Sequence, residues 1–127
     1  MGELQGFHHV KLPVSDLARS REWYERVLGL QVHAEFVEDG VVMGVALCDA
    51  DATIDLALRH DPVRAAALAG FDPIALAVAT RDGVQGWAHT LDELGIPHGG
   101  VVTGHRGGAV LVGLRDLDGV EIRLYAD

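Results

Sequence analysis

Phe7-His8-His9-Val10-Lys11-Leu12-Pro13-Val14-Ser15-Asp16-Leu17 decides how the whole chain is read. The run up to Val14 is short and carries β-branched residues, and Ser15-Asp16 places side-chain oxygens where they cap a helix. That spacing predicts a strand over residues 7–14 and a helix over residues 17–28, with Gly29 just past its end. Leu17, Tyr24, Val27 and Leu28 share one helical face, with Trp23 at its border, so the face must pack on a sheet. Strands follow over 30–38 and 41–48 around the turn Asp39-Gly40, and over 52–59 after Asp49-Ala50-Asp51. The first part reads β-α-β-β-β.

Working outward, residues 60–70 form a connector with one short helix, because Asp61 can cap it, Pro62 suits its first position and Gly70 its end. From Phe71 the order recurs: strand over 72–79, helix over 81–94 closed by Gly95, then strands near 100–103, 109–114 and 120–126. Phe7 superposes on Phe71, Val14 on Val78 and Trp23 on Trp87, each 64 residues apart. Ile54-Asp55-Leu56 superposes on Ile122-Arg123-Leu124 at an offset of 68, the extra residues falling in turns. Such self-similarity implies two copies of one supersecondary unit, each covering the other's open face, so neither half is expected to fold well alone. The expectation is an α+β single domain over 1–127, with module one about 6–59, a linker 60–70 and module two about 71–126.

Composition limits the function. The chain has 127 residues, 49% hydrophobic and 23% charged, enough apolar surface for a folded core. Nineteen acidic against ten basic residues give a formal charge of −9, which opposes nucleic acid and acidic lipid and points to a neutral or cationic partner. No apolar stretch approaches a membrane span, Cys48 has no second cysteine to bond, and no charged segment leading into an apolar one precedes Phe7. The reading is a cytoplasmic protein.

Alternation along the strands sorts side chains into two faces. Val10, Leu12, Val14 and Ile54, Leu56, Leu58 go under the first helix, leaving His9, Lys11, Pro13 and Asp55, Ala57, Arg59 on the other side. His8 goes with the helix side as a packed or capping residue. In the second half Pro73, Ala75, Ala77 and Glu121, Arg123, Tyr125 take the side away from the helix. Residues 41–48 and 109–114 are apolar on both faces, so that side is sheltered too: a concave, partly apolar pocket with few polar groups.

The paired β-α-β-β-β units, the opening stretch quoted above, Trp23-Tyr24, Val27-Leu28-Gly29-Leu30 and the closing Asp116-Leu117-Asp118-Gly119-Val120-Glu121-Ile122-Arg123-Leu124 together resemble the vicinal oxygen chelate superfamily. That group includes glyoxalase I, extradiol dioxygenases, and fosfomycin- and bleomycin-resistance proteins. The resemblance implies two tandem modules forming a curved mixed sheet around a pocket, and a homodimer. It also implies a divalent ion held by His and Glu from the first and last strands of each module. At those positions stand His9, which matches, Asp55, a shorter carboxylate, Pro73, which has no ligating side chain, and Arg123, whose guanidinium repels a metal ion. Catalytic divalent ions need three or more protein ligands, and at most two are supplied. A cation about 4 Å from Arg123 meets roughly 4 kcal/mol of repulsion per unit charge at an effective dielectric of about 20. Asp72 is placed by alternation on the face opposite Pro73, where it does not rescue the site.

Asp55 and Arg123 occupy equivalent places in the two halves and are expected either to pair or to hold opposite ends of a polar ligand. His9 reads either as a ligand contact or as a structural histidine. His33, His60, His89, His98 and His105 fall in outer strands, helix surfaces or loops, and Trp23 and Trp87 serve packing. Gly104-His105-Arg106-Gly107-Gly108 opens a strand and not a helix, so it is turn chemistry and not a phosphate cradle. The expected function is metal-independent, cofactor-free small-molecule binding of the antibiotic-sequestering, bleomycin-resistance-like kind, with His9, Lys11, Asp55, Glu121, Arg123 and Tyr125 lining the site. The competing expectation is a divergent lyase, isomerase or dioxygenase using His9 with or without a metal.

Overall fold

The structure, a computed structural model, describes residues 2–127. It contains β1 (Val10–Val14), α1 (Leu17–Leu28), β2 (Gln31–Glu38), β3 (Val41–Cys48), β4 (Asp55–His60), α2 (Pro62–Leu68), β5 (Ile74–Ala77), α3 (Arg81–Glu93), β6 (Val101–Gly104), β7 (Gly107–Leu111) and β8 (Ile122–Ala126). The chain divides into two compact units, the first ending at Ala65 and the second beginning at Ala66. Each contains one four-stranded mixed sheet with a helix against it, in the orders β1-β4-β3-β2 and β5-β8-β7-β6.

In the first unit, β1 runs parallel to β4, and β4-β3-β2 is antiparallel. Asp16 caps α1 by accepting the Arg19 amide at 3.1 Å, and Gly29 ends it in the left-handed conformation at φ 71°. The register stacks Leu12 beside Leu58 and Val45, and Leu56 beside Leu47, a row of side chains that Tyr24, Val27 and Leu28 of α1 join in the core. Each such apolar side chain contributes about 1.5–3 kcal/mol when fully buried. The second unit repeats the plan. Thr80 caps α3 through the Gly83 amide at 3.0 Å, and Val84, Ala88 and Leu91 are buried with Leu111, Ile122 and Leu124.

Strand ends differ from the sequence reading, for local reasons. β1 and β5 begin at Val10 and Ile74, where parallel pairing to Leu56 and Ile122 begins, and not at residues 7 and 72. β4 begins at Asp55 because Ala52 takes a left-handed φ of 54° and Thr53 and Ile54 bond back to the Asp49 carboxylate. β7 begins at Gly107 and stops at Leu111, short of Gly113, whose φ is 74°. Within β3, residues 44–47 are buried while Val41 and Val42 at the hairpin end are exposed, so only half of that strand is sheltered on both faces. Trp23 is buried edge-on against Tyr24, whereas its equivalent Trp87 is half-buried. No helix among the described residues is long and apolar enough to cross a membrane.

Candidate functional site

In β8 the side chains alternate cleanly: Ile122, Leu124 and Ala126 are buried under α3, and Arg123 and Tyr125 emerge on the opposite face. There they meet a groove of about 260 Å³ within the second unit. Its apolar wall is Val102, Val110 and Val112, and its polar groups are Thr103, His105, Arg106, Arg123 and Tyr125. The cross-strand register explains the grouping, since Tyr125 lies opposite Val110 and Val110 lies opposite Val102.

Arg123 is held on two sides. Its Nε donates to Oε2 of Glu121 at 2.7 Å, and its Nη1 lies 3.3 Å from Oδ2 of Asp72. Both carboxylates thus approach the guanidinium, one through Nε and one at Nη1. Burial pushes the Glu121 carboxyl up, but the Arg123 hydrogen bond, the Gly113 amide and the charges of Arg123 and Arg115 outweigh it, and the group sits below its ordinary 4.5. The Glu121 bond in turn raises Arg123 further above its ordinary value, so this guanidinium is a permanent cation. Asp72 departs from expectation: alternation put it on the face opposite Pro73, yet it reaches Arg123. The reason is that β5 starts two residues later, so Asp72 and Pro73 lie in irregular chain where the two-residue period does not apply.

Tyr125 joins the groove to its rim. Its hydroxyl donates to the Gly107 carbonyl at 2.6 Å and accepts the Arg106 amide at 3.2 Å, pinning the hairpin between β6 and β7. Gly104 passes so close beneath the ring that a Cβ there would fall on the phenol. The glycine-rich segment is thus a turn, as its composition suggested, but a tied one.

The remaining expected site residues lie in the first unit. Asp55 is half-buried, with Oδ1 3.3 Å from Nε2 of His33. His33 was assigned from sequence to an outer strand with no role. It reaches Asp55 through an irregularity in β2 between Val32 and Ala34, which no sequence pattern announces. Asp55 and Arg123 therefore each have a partner from their own unit. Lys11 is exposed on β1, pointing away from buried Leu12. His9 precedes β1 and is exposed, its Nδ1 2.9 Å from that of His8. The packed or capping role expected of His8 fails because the strand starts too late to fix its side. On the same sheet Arg59 makes a two-point pair with Glu38, at 2.7 and 3.1 Å. That pair lowers Glu38 from its ordinary value.

A divalent ion fits this donor set poorly. A proline and a twice-bonded guanidinium occupy two of the four positions, the carboxylate at the third is engaged with His33, and the histidine at the fourth is exposed. Among the described residues no three His, Cys, Asp or Glu side chains converge.

Residues 6–124 match the family described as the Glyoxalase/Bleomycin resistance protein/Dioxygenase superfamily. No curated protein matches by sequence. Among solved structures, the chain is similar to TnmS3, an antibiotic binding protein from Streptomyces sp. CB03234, at 19% identity and a TM-score of 0.78, covering 98% of each chain. It is similar to lactoylglutathione lyase from Agrobacterium tumefaciens at 18% identity and a TM-score of 0.76, covering 98% of this chain and 95% of that one. A fosfomycin resistance protein, FosX, from Listeria monocytogenes aligns at 14% identity and a TM-score of 0.72, covering 98% and 95%. At these identities the likeness is one of fold.

Proposed function

Since the chain belongs to the Glyoxalase/Bleomycin resistance protein/Dioxygenase superfamily, we propose that it binds a small, partly apolar molecule without a metal and without making or breaking a bond in it. The observation that carries this reading is Arg123, a cation fixed by Glu121 and Asp72 on the floor of a groove with a valine wall. A guanidinium so held orients a ligand by hydrogen bonds and offers no Lewis acid, base or nucleophile. TnmS3, which its description calls an antibiotic binding protein, shares the fold, and sequestration of an antibiotic is the corresponding role here. The proposed site in the second unit includes Tyr125, and on the first unit's own sheet His9, Lys11 and Asp55 are proposed as ligand contacts. Such modules are expected to work as a homodimer in the cytoplasm, which sedimentation equilibrium and cell fractionation test.

The direct experiment is calorimetric titration of protein purified without a metal-affinity tag against a panel of aromatic antibiotics and metabolites. Saturable binding with an affinity unchanged by EDTA is expected. Stoichiometric Fe, Mn, Zn or Ni by elemental analysis, together with turnover of the bound compound, would overturn the proposal.

A further inference from the structure

The side chains that line the groove differ in kind from the acidic surplus of the chain. The chain carries a formal −9, yet the groove of the second unit is lined by Arg106, Arg123 and His105 and by no carboxylate. Surface charges act over about 8 Å at physiological salt, so the distant acidic surface counts for little in the groove. Glu121 and Asp72 lie close enough to offset the charge of Arg123 and leave Arg106 as the cation with no such counter-charge beside it among the described residues. Glu121 is buried behind Arg123, with its oxygen turned to Nε. Asp72 engages Nη1. Neither carboxylate is part of the lining, whereas Arg123 itself is. Arg106 has no ion-pair partner among the described residues and sits on the rim, its backbone fixed by the Tyr125 hydroxyl. Thr103 adds a hydroxyl to the same groove, and Val102, Val110 and Val112 supply the apolar wall.

We infer that the ligand of this groove is an aromatic or otherwise apolar molecule bearing an anionic oxygen group, a carboxylate or its equivalent. The anion is received between the side chains of Arg106 and Arg123, and the apolar body lies along the valines against the ring of Tyr125. The inference rests on reading this face as a ligand site and specifies what that ligand must carry. It reverses the preference for a neutral or cationic partner that net charge suggests. Arginine suits the task because its planar fork stays charged at every physiological pH and matches two carboxylate oxygens at once.

Three molecules of one shape test the inference: 2-naphthoate, its neutral amide, and the cationic 2-naphthylmethylamine. Binding is followed by the backbone amide signals of Thr103, Gly104, His105, Arg106 and Tyr125 in two-dimensional NMR. Naphthoate is expected to shift these signals and to bind about tenfold more tightly than the amide, the scale of one charge-assisted hydrogen bond. Added salt should weaken naphthoate and leave the amide unchanged. Arg106→Gln, on an exposed turn, should bring naphthoate down to the level of the amide, while Arg81→Gln, which removes the same charge from α3, should not. Amide or amine binding at these residues as tightly as naphthoate overturns the anion inference and leaves small-molecule binding standing. So does naphthoate affinity indifferent to Arg106→Gln. If none of the three molecules moves these signals, the groove is not a ligand site and both readings fall.

Discussion

Arg123 donates through Nε to Oε2 of Glu121 at 2.7 Å, two residues back along the same chain, so the cation in the groove and a buried carboxylate hold each other in place. Glu121 ionises below its ordinary 4.5 in the folded protein, so its contribution to stability is present above that value and is lost as the pH falls through the lowered one. Arg123→Met should cost about 1 kcal/mol at neutral pH, a figure reduced for the partial exposure of the guanidinium. The difference between wild type and variant should close as the pH drops below about 4.5. Urea denaturation at a series of pH values measures this, and a gap that stays constant into acid would contradict the pairing.

Gly104 tolerates no side chain beneath Tyr125. Gly104→Ala should destabilise the protein by about 1–3 kcal/mol, the usual range for overpacking. In a Tyr125→Leu background the same alanine should cost much less, because the ring it strikes is gone. Equal costs in both backgrounds, measured by chemical denaturation, would show that the ring is not what restricts the position.

Ser20 lies on α1 with its hydroxyl fully buried and without a hydrogen-bond partner among the described residues. Alanine removes a desolvated polar atom and has the higher helix propensity. Ser20→Ala is therefore expected to stabilise the fold by about 1 kcal/mol. It should raise the melting temperature by a few degrees in calorimetry, and a lowered melting temperature would show that the hydroxyl is satisfied in solution.

The buried carboxylate of Asp116 accepts the amides of Asp118 at 2.9 Å and Val120 at 3.0 Å, shaping the turn that delivers the chain into β8. Asp116→Ala leaves those amides without this acceptor and should cost about 2 kcal/mol. Asp116→Asn, which keeps one acceptor oxygen, should recover a good part of it. Alanine and asparagine behaving alike in denaturation would argue against the hydrogen bonds as the cause.

The fold was legible because it rests on signals that recur at a fixed offset, Phe7 with Phe71, Val14 with Val78 and Trp23 with Trp87; the structure adds that Asp16 and Thr80 cap the equivalent helices. Alternation also sorted Arg123 and Tyr125 from Ile122 and Leu124, since these lie inside a regular strand. It failed wherever the backbone leaves the regular period. Asp72 and His8 stand before their strands begin, and His33 sits at an irregularity in β2, so counting residues assigned their sides wrongly or gave them no partner. Net charge is a different kind of signal. It averages over a surface, whereas a ligand experiences the few groups that hairpin and strand bring within a Debye length.

One phenol, that of Tyr125, both faces the groove and ties down the opening between β6 and β7. A ligand of the kind proposed would therefore bear on the hairpin as well as on the ring. Whatever presses on the ring pulls at the Gly107 carbonyl, and whatever loosens the hairpin releases the ring. A single fluorine placed on that ring would act as a gauge, reporting a filled groove and a stilled hairpin in one resonance.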